Sequence, residues 1–370
     1  MAVTINGTTG VSLVQDGTIT SAKIVDGTVA AADIANDTIT AAKMADGAVE
    51  GAFTTQMGRR NLIINGAMTV AQRGTSGTMT DDNQFPSLDR WGTRTYGGTG
   101  RFSVAQDTTV PSGQTFTKSL KATVTTTATS GTYGYAIKQN LEGFVVNPLR
   151  TGTSDALKST LSFWARSSVA GTYCCSVRGT AGAASYVFEY TLAADTWTKI
   201  EHTIAKPTTT TPSWDRTSAA DFLLEWSLGA QTSKQTSTTE SWHDGNYTST
   251  SNQTDWISNS GATFYLTGVQ LEAGETATPF EHLSYGEELL LCQRYYLSQP
   301  DNNFGGAYGS GNIMIHWYFP TAMRAAPTIT VSTIGGGSLS TQYIYNWKYT
   351  RYMTGDVSVA GQNFEADAEL

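Results

Sequence analysis

The chain has 370 residues and a formal net charge of −8, and charged residues make up 15% of it, against about 25% in ordinary globular domains. Its 23 Lys and Arg residues form no basic stripe, which excludes a general nucleic-acid binder. Aromatic residues (11%) suffice to build a core, which excludes a charge-repelled disordered chain, and 37 glycines favour strands and turns. The length favours two or three domains.

The start of the chain has neither the positive charge nor the continuous apolar stretch of a signal peptide, and no run reaches the ~20 apolar residues that span a bilayer. We therefore expect no membrane insertion. Cys174, Cys175 and Cys292 have neither the even count of a disulfide framework nor a zinc-binding spacing. The cysteines therefore indicate synthesis in a reducing cytoplasm. We also expect the protein to bind no cofactor.

Residues 15–44 repeat with a period of ten, in the pattern x-Asp-Gly-Thr-Ile/Val-x-x-Ala-x-Ile/Met, and a partial copy follows at 45–49. Asp-Gly is a turn signal, and Thr-Ile/Val after it reads as a short strand. So thin a segment cannot bury its own apolar side chains, so we predict a shaft of identical chains over 15–57. A flexible linker with chance similarity is the alternative. The predicted shaft core consists of Ile19, Ile24, Val29, Ile34, Ile39 and Met44.

Short strand-like runs follow, separated by clusters of Gly, Ser, Asp and Pro. They predict a mostly β fold with an antiparallel β-sandwich or jelly roll over 58–284. Their order also resembles a jelly-roll carbohydrate-binding module. The runs lie at 161–166, 171–178, 186–190, 196–202 and 222–228. The tryptophans in strand-like contexts are expected in the core: Trp91, Trp164, Trp197 and Trp226.

Exposed aromatic rings are candidates for sugar binding, because they stack on the C–H faces of sugars. Residues 241–256 place rings in a polar, non-periodic stretch that reads as a surface loop. The predicted carbohydrate-binding residues are Trp242, Tyr247, Trp256 and Trp214. Burial of such rings as loop anchors is the alternative. Asp81-Asp82-Asn83 is a candidate structural calcium site, with a solvated turn as its alternative.

The C-terminal part, 285–370, is predicted to be a small β-rich domain. Residues 286–298 read as a short helix, and strands are expected at 312–319, 328–333 and 342–352. On a single strand over 342–352, four rings would share one face. That face either packs in the domain or subunit core or forms a sugar-binding face at the fibre tip. It consists of Tyr343, Tyr345, Trp347 and Tyr349.

Several sequence blocks resemble bacteriophage tail fibre proteins, and together they frame nearly the whole chain. The decad repeat runs into the segment Arg-Arg-Asn-Leu-Ile-Ile-Asn-Gly-Ala-Met, followed by Gln-Arg-Gly and Asp-Arg-Trp. Later come Phe-Tyr-Leu-Thr-Gly-Val-Gln-Leu-Glu-Ala-Gly, Thr-Pro-Phe-Glu-His, Cys-Gln-Arg-Tyr-Tyr and the ending Phe-Glu-Ala-Asp-Ala-Glu-Leu. These blocks occupy 59–68, 72–74, 89–91, 264–274, 278–282, 292–296 and 364–370.

The resemblance implies a homotrimeric fibre of the virion tail, made in the host cytoplasm. Residues 1–14 would attach it to the phage tail or an adaptor protein, and 285–370 would form the tip or trimerisation domain. The implied partner is a host-surface glycan, lipopolysaccharide or capsule, or an outer-membrane protein. A glycan-degrading tailspike and a purely structural spacer are the alternatives.

No nucleophile elbow, metalloprotease motif or phosphate loop occurs in the sequence. Glu240, Asp244 and Asp255 could supply the two carboxyl groups that glycoside hydrolysis needs, but their spacing is that of solvated loop acids. We therefore expect no enzymatic activity.

Overall fold

The computed structural model describes residues 59–80, 84–95, 98–128, 134–179, 184–207, 214, 216–302, 312–331, 338–354 and 362–369. All of them belong to one compact unit, Thr55–Leu370. The predicted attachment peptide, the shaft with its six core residues, and the candidate calcium ligands at 81–83 lie outside the described residues. Within the described part the predicted mostly β fold with an antiparallel jelly-roll sandwich is confirmed.

Two antiparallel sheets, each of six described strands, form the sandwich. In chain order the strands are β1 (Ser76–Thr78), β2 (Gly92–Thr95), β3 (Arg101–Asp107), β4 (Ser119–Thr126), β5 (Tyr135–Glu142), β6 (Ser159–Ser167), β7 (Gly171–Gly179), β8 (Ala184–Leu192), β9 (Thr198–Ile204), β10 (Ala220–Gly229), β11 (His243–Asp244) and β12 (Thr263–Ala273). The first sheet has the order β1-β3-β4-β12-β6-β9, and the second has the order β11-β8-β7-β10-β5-β2. Each of the five predicted runs between 161 and 228 overlaps one strand.

The core lies between the two sheets and is dominated by aromatic rings. Phe163 of the first sheet packs edge-on against Trp226 of the second, with ring centroids 5.7 Å apart, and Trp226 contacts Trp91 at 5.4 Å. Trp91 and Trp226 are buried, as predicted. Short helical segments connect the strands at α1 (Gly143–Val146) and at three 3₁₀ turns, Asn147–Leu149, Thr232–Lys234 and Trp256–Ser258.

The helix predicted over 286–298 is α2 (Tyr285–Gln293). Its predicted end is wrong, because the chain enters a strand at Tyr296. Ser284 caps α2, because its hydroxyl accepts from the Glu287 backbone N–H while the Glu287 carboxylate accepts from the Ser284 backbone N–H. Two three-stranded sheets follow, with the orders β13-β18-β15 and β14-β17-β16. Their strands are β13 (Tyr296–Asn302), β14 (Asn312–Tyr318), β15 (Thr328–Val331), β16 (Ser338–Ile344), β17 (Lys348–Thr354) and β18 (Gln362–Asp367).

The prediction of one strand over 342–352 is wrong, because the chain reverses between β16 and β17. The two strands pair antiparallel, and Tyr345 N donates to Lys348 O across the turn at 2.9 Å. The four rings therefore do not share one strand face. Tyr349 is buried beside Trp317 and Phe364, whereas Tyr343, Tyr345 and Trp347 are exposed.

The block at 61–66 joins the sandwich sheets. Leu62 N donates to Leu271 O of β12 at 2.8 Å, and the Gln139 side chain of β5 both donates to and accepts from the backbone of Ile64. Gly66 lies so close to β12 that a Cβ there would stand 2.1 Å from Val269 O. Glycine is therefore required at 66 for this segment to pack.

Other blocks of the resemblance meet in one partly buried polar cluster, which we call the clamp: Gln72, Arg73, Asp89, Arg90, Tyr295, Tyr296, Asp367 and Glu369. Arg73 forms ion pairs with Asp367 (2.9 Å) and Glu369 (3.4 Å), and Arg90 also pairs with Glu369. The guanidinium groups of Arg73 and Arg90 stack on Tyr296 and Tyr295, 3.6 and 3.5 Å from the ring centroids. The clamp thus fastens the C-terminal strands to the sandwich.

All three cysteines are buried and free. Burial raises the pKa of the Cys174 thiol to about 11, and it also raises the pKa of the Cys292 thiol well above its ordinary value. In the part of the chain that the structure describes, every helix is too short or too polar to cross a membrane.

Candidate functional site

Two of the four predicted carbohydrate-binding rings, Trp242 and Trp214, lie together as half-buried anchors. Their ring centroids are 5.5 Å apart, and both contact Phe222 of β10. Trp242 Nε1 donates to Ala205 O at 2.7 Å, so its polar edge is already used within the protein. A Cβ at Gly152 would stand 2.2 Å from Trp214 Cδ1, so this ring is closely held as well.

The other two predicted rings are separate from this pair. Trp256 is completely buried and packs edge-on against Phe102 at 5.9 Å, which corrects its prediction as a surface ring. The physical reason is that residues 256–258 turn inward as a 3₁₀ helix, and Thr254 N donates to Thr172 O at 2.7 Å to hold the loop down. Tyr247 is half-buried and stacks on His243, with centroids 5.1 Å apart.

The outward face of the second sheet is covered by the loop that was predicted to bind sugars. Gln253 accepts from Cys174 N (2.8 Å) and donates to Ser227 O (3.2 Å), and Asn246 accepts from Arg178. Thr250 donates to Glu189. Side chains of the loop thus occupy the hydrogen-bonding groups of this face.

Charged groups on the same face satisfy one another. The buried Glu225 carboxylate accepts from Arg178 Nη2 at 2.6 Å and from Arg94 Nη1 at 2.9 Å. Burial alone would raise the pKa of Glu225, but the two guanidinium groups hold that pKa below its ordinary value. The network is therefore an internal ion cluster rather than a site for a ligand.

The first sheet, in contrast, presents an open outward face. Along β6, Leu161, Phe163 and Ala165 are fully buried in the core, whereas Trp164 and Arg166 alternate with them and are half-exposed. Cross-strand pairing places Lys199 of β9 beside Trp164.

A groove of about 470 Å³ lies on this face, and we call it the sheet groove. Aromatic rings and polar groups share its lining, and none of the described lining residues is a carboxylate. Its principal members are Phe116, Ser162, Trp164, Lys199, Phe280 and His282. A volume of this order falls within the range of small-ligand sites.

Three rings form one wall of the sheet groove. Phe116 packs edge-on against Phe280 at 5.1 Å, and His282 contacts both rings at 5.7 and 4.9 Å. His282 Nε2 shares a hydrogen bond with Thr115 Oγ1 at 2.7 Å, which fixes the imidazole. Gly268 makes room for this wall, because it has φ +61° at a β12 irregularity and a Cβ there would lie 2.5 Å from the Phe116 ring.

Cations along the open face are paired with nearby acids. Lys121 lies 3.5 Å from Asp107, Arg166 lies 2.9 Å from Asp195, and Lys199 contacts Glu201. Arg166 and Lys121 also approach the Tyr265 ring, at 5.2 and 5.5 Å from its centroid. These pairs balance their charges and leave both donors and acceptors on the face.

The sequence interpretation placed Trp164 and Trp197 in the core, but both are half-buried and neither belongs to the core cluster. Reading the alternation along 161–166 would have separated Trp164 from Phe163, because adjacent strand residues face opposite sides. Phe280 and His282 carried no such local signal. Among the described residues, no group of three His, Cys, Asp or Glu side chains is arranged to hold a metal ion.

The chain matches no protein-family model, and no curated protein matches it. Solved structures similar to it include a putative sugar binding protein from Bacteroides thetaiotaomicron, at 13% identity and a TM-score of 0.34, covering 58% of this chain and 100% of the other. A family 11 carbohydrate-binding module of a Clostridium thermocellum cellulase is 13% identical, with a TM-score of 0.29, and covers 55% of this chain and 98% of the module.

The enzymatically active domain of tailspike protein 4 from bacteriophage CBA120 is also similar, at 12% identity and a TM-score of 0.31. The match covers 58% of this chain and 21% of the tailspike chain, so it spans about a fifth of the length of that chain. At these identities the likenesses concern the fold alone.

Proposed function

We propose that this protein is a bacteriophage tail fibre adhesin that binds a host-surface glycan through the sheet groove. The observation that carries the proposal is the groove itself: Trp164 and Phe280 stand beside Ser162 and Lys199 on the open face of the first sheet. The resemblance of the sequence blocks to tail fibre proteins supplies the biological setting.

The groove suits a sugar chemically. A pyranose ring presents a weakly polar C–H face, on which an indole or phenyl ring can stack, and hydroxyl groups at its edge. In the groove, Trp164 and the Phe116–Phe280 wall would stack on the sugar ring, while the Ser162 hydroxyl and the Lys199 ammonium group would form hydrogen bonds with the sugar hydroxyls. The Thr115 bond presets the imidazole of His282, so little conformational entropy is lost when a ligand binds there.

We propose that the protein binds the glycan without cleaving it. Hydrolysis of a glycoside needs two carboxyl groups about 5–9.5 Å apart around the scissile bond. The described lining of the sheet groove supplies none. A depolymerase would release reducing ends from host polysaccharide, and we expect none above the buffer control.

Trimerisation through the predicted shaft would strengthen a shallow site. Tethering three weak sites raises overall binding by about 10²–10⁴ through effective concentration, without any new contact. We therefore propose a homotrimeric virion protein attached to the tail, or to an adaptor, through residues 1–14. A mass of three chains in solution is the expected result of light scattering on the intact protein.

The test compares a Trp164→Ala/Phe280→Ala double variant with wild type on a printed array of bacterial lipopolysaccharides and capsular polysaccharides. Loss of two stacking rings is expected to weaken binding at least tenfold, since each aromatic anchor of a binding site typically contributes more than about 1 kcal/mol. Phe144→Ala is the matched control, because Phe144 is an exposed ring on α1 outside the groove. Unchanged binding by the double variant would refute the site, and a wild type that retains no polysaccharide would favour a structural spacer.

A further inference from the structure

Exposed aromatic side chains concentrate at one place in the C-terminal part. Tyr318, Tyr343, Tyr345 and Trp347 are 63%, 48%, 44% and 47% exposed, and they include most of the large hydrophobic residues that are exposed in the described part of the chain. Trp347 lies 5.9 Å from Tyr345 and 6.1 Å from Tyr318 between ring centroids, with interplanar angles of 31° and 32°. We call the cluster of Tyr318, Tyr345 and Trp347 the aromatic turn.

The aromatic turn is held in place by the backbone beneath it. Phe319 N donates to Trp347 O at 3.2 Å, and Met323 N donates to Asn346 O at 2.6 Å. Tyr349, the next ring along β17, is buried against Trp317 at 5.2 Å. The exposed rings therefore stand on a packed base, and a ligand would meet a preset surface.

We propose that the aromatic turn is a second carbohydrate-binding site, centred on Tyr345 and Trp347 and independent of the sheet groove. Its rings are tilted by about a third of a right angle to one another, so they offer adjoining flat faces for the C–H faces of sugars. The Tyr345 hydroxyl, the indole N–H and the exposed Asn346 amide supply hydrogen-bonding groups at the edges.

Lys348 adds a cation to this surface. Its Nζ lies 4.5 Å from the Trp347 centroid and 5.6 Å from that of Tyr345, so the ammonium group is kept beside the rings. An ammonium group there can donate to sugar hydroxyls and, in an acidic polysaccharide, to a carboxylate. A glycan thus matches every group of the aromatic turn.

A second copy of this chain fits the aromatic turn less well. Aromatic rings are common in the core of an interface between identical subunits, but lysine is depleted there, whereas the Lys348 ammonium group stands beside these rings. No aliphatic side chain is among the large hydrophobics exposed there in the described residues. The chemistry therefore favours a hydroxyl-rich ligand.

The experiment uses the full chain and the same polysaccharide array as above, with a Tyr345→Ala/Trp347→Ala double variant. We expect at least a tenfold loss of binding to one or more polysaccharides that wild type retains, with an unchanged unfolding midpoint. Tyr285→Ala is the matched control, because Tyr285 is 60% exposed on α2 outside the cluster. Trp347→Leu guards against misfolding, because it keeps apolar bulk but removes the flat face, and it should reproduce the loss.

Wild-type binding by both turn variants, on every polysaccharide, would overturn the inference. So would an effect confined to self-association, seen as a shift in sedimentation coefficient without loss of polysaccharide binding, since the occupant would then be a second copy. The groove variant, measured in parallel, separates the two sites. If only the groove variant loses binding, the proposed function of the sheet groove stands and this inference fails. If only the turn variants lose binding, this inference stands and the sheet groove is not the binding site.

Discussion

Asp89 offers the sharpest test of the clamp, because its carboxyl group is buried and its pKa is raised to about 6 from an ordinary 3.8. Burial is the main cause, and it outweighs the hydrogen bonds from Gln72, whose backbone N donates to Oδ1 at 2.9 Å. The replacement Asp89→Asn has nearly the same shape and no titration. Comparison of the two proteins across pH isolates this one group.

The sign and the size of the effect follow from linkage. Because the pKa of Asp89 is higher in the folded protein than in the unfolded chain, the folded state binds the proton more tightly, and the resulting stability is fully present below pH 3.8. It is lost as pH rises through about 6. A shift of about 2 pH units corresponds to about 3 kcal/mol at 1.36 kcal/mol per unit.

We therefore expect the unfolding free energy of wild type, relative to Asp89→Asn, to fall by about 3 kcal/mol between pH 3.8 and pH 7, measured by denaturant titration at fixed ionic strength. Asp107→Asn is the opposite control: although partial burial raises the pKa of Asp107, bonds from Thr109 and the nearby Lys121 lower it overall. The contribution of Asp107 to stability is therefore present above the pKa that this group has in the unfolded chain, and it is lost as pH falls. A wild-type-minus-Asp89→Asn difference that stays flat from pH 3.8 to 7 would refute the argument.

Further changes probe packing and capping. Gly66→Ala should lower the unfolding free energy by about 1–3 kcal/mol or more, because the new Cβ would stand 2.1 Å from Val269 O. Gly286→Ala is the control and should not lower it, because nothing lies within 4 Å of the new Cβ. Equal unfolding midpoints for the two variants would contradict the close approach at Gly66. Ser284→Ala should lower the unfolding free energy by about 1 kcal/mol, because it removes the helix cap. Hydrogen bonds to Ser284 lower the pKa of Glu287, so in this variant an NMR titration should find that pKa closer to its ordinary value. Trp256→Ala should lower the unfolding free energy by about 3–5 kcal/mol, against about 1.5 kcal/mol or less for the half-buried Tyr247→Ala; a reversed order would place Trp256 outside the core.

The sandwich strands were predictable from sequence because their signal is local. Runs such as 171–178 and 222–228 carry the residue types and turn boundaries of strands, and they became β7 and β10. The reversal between Tyr343 and Lys348 was missed because this segment lacks a local turn signal. It carries no Gly or Pro, and the pairing of β16 with β17 is fixed by contacts across the sheet.

The candidate sites were harder to predict, because the exposure of a ring depends on residues distant in the chain. Trp256 looked like a loop residue, yet Phe102, far earlier in the sequence, completes its pocket. Trp164 looked like a core residue, yet the Phe163 beside it takes the core position. Composition indicates how many rings a loop or strand holds, whereas the fold decides which face of each ring meets solvent.

The blocks that support the resemblance to tail fibre proteins serve mainly to assemble the fold. Gln72, Arg73, Asp89, Arg90 and Glu369 come from three separate blocks and meet in the clamp. Trp164 and Lys199 of the sheet groove, and Tyr345 and Trp347 of the aromatic turn, lie outside the blocks, whereas Phe280 and His282 of the groove wall belong to the block at 278–282. Of the two proposed sites, the aromatic turn therefore shares no residue with the blocks, so variants there leave the clamp and the other block contacts intact.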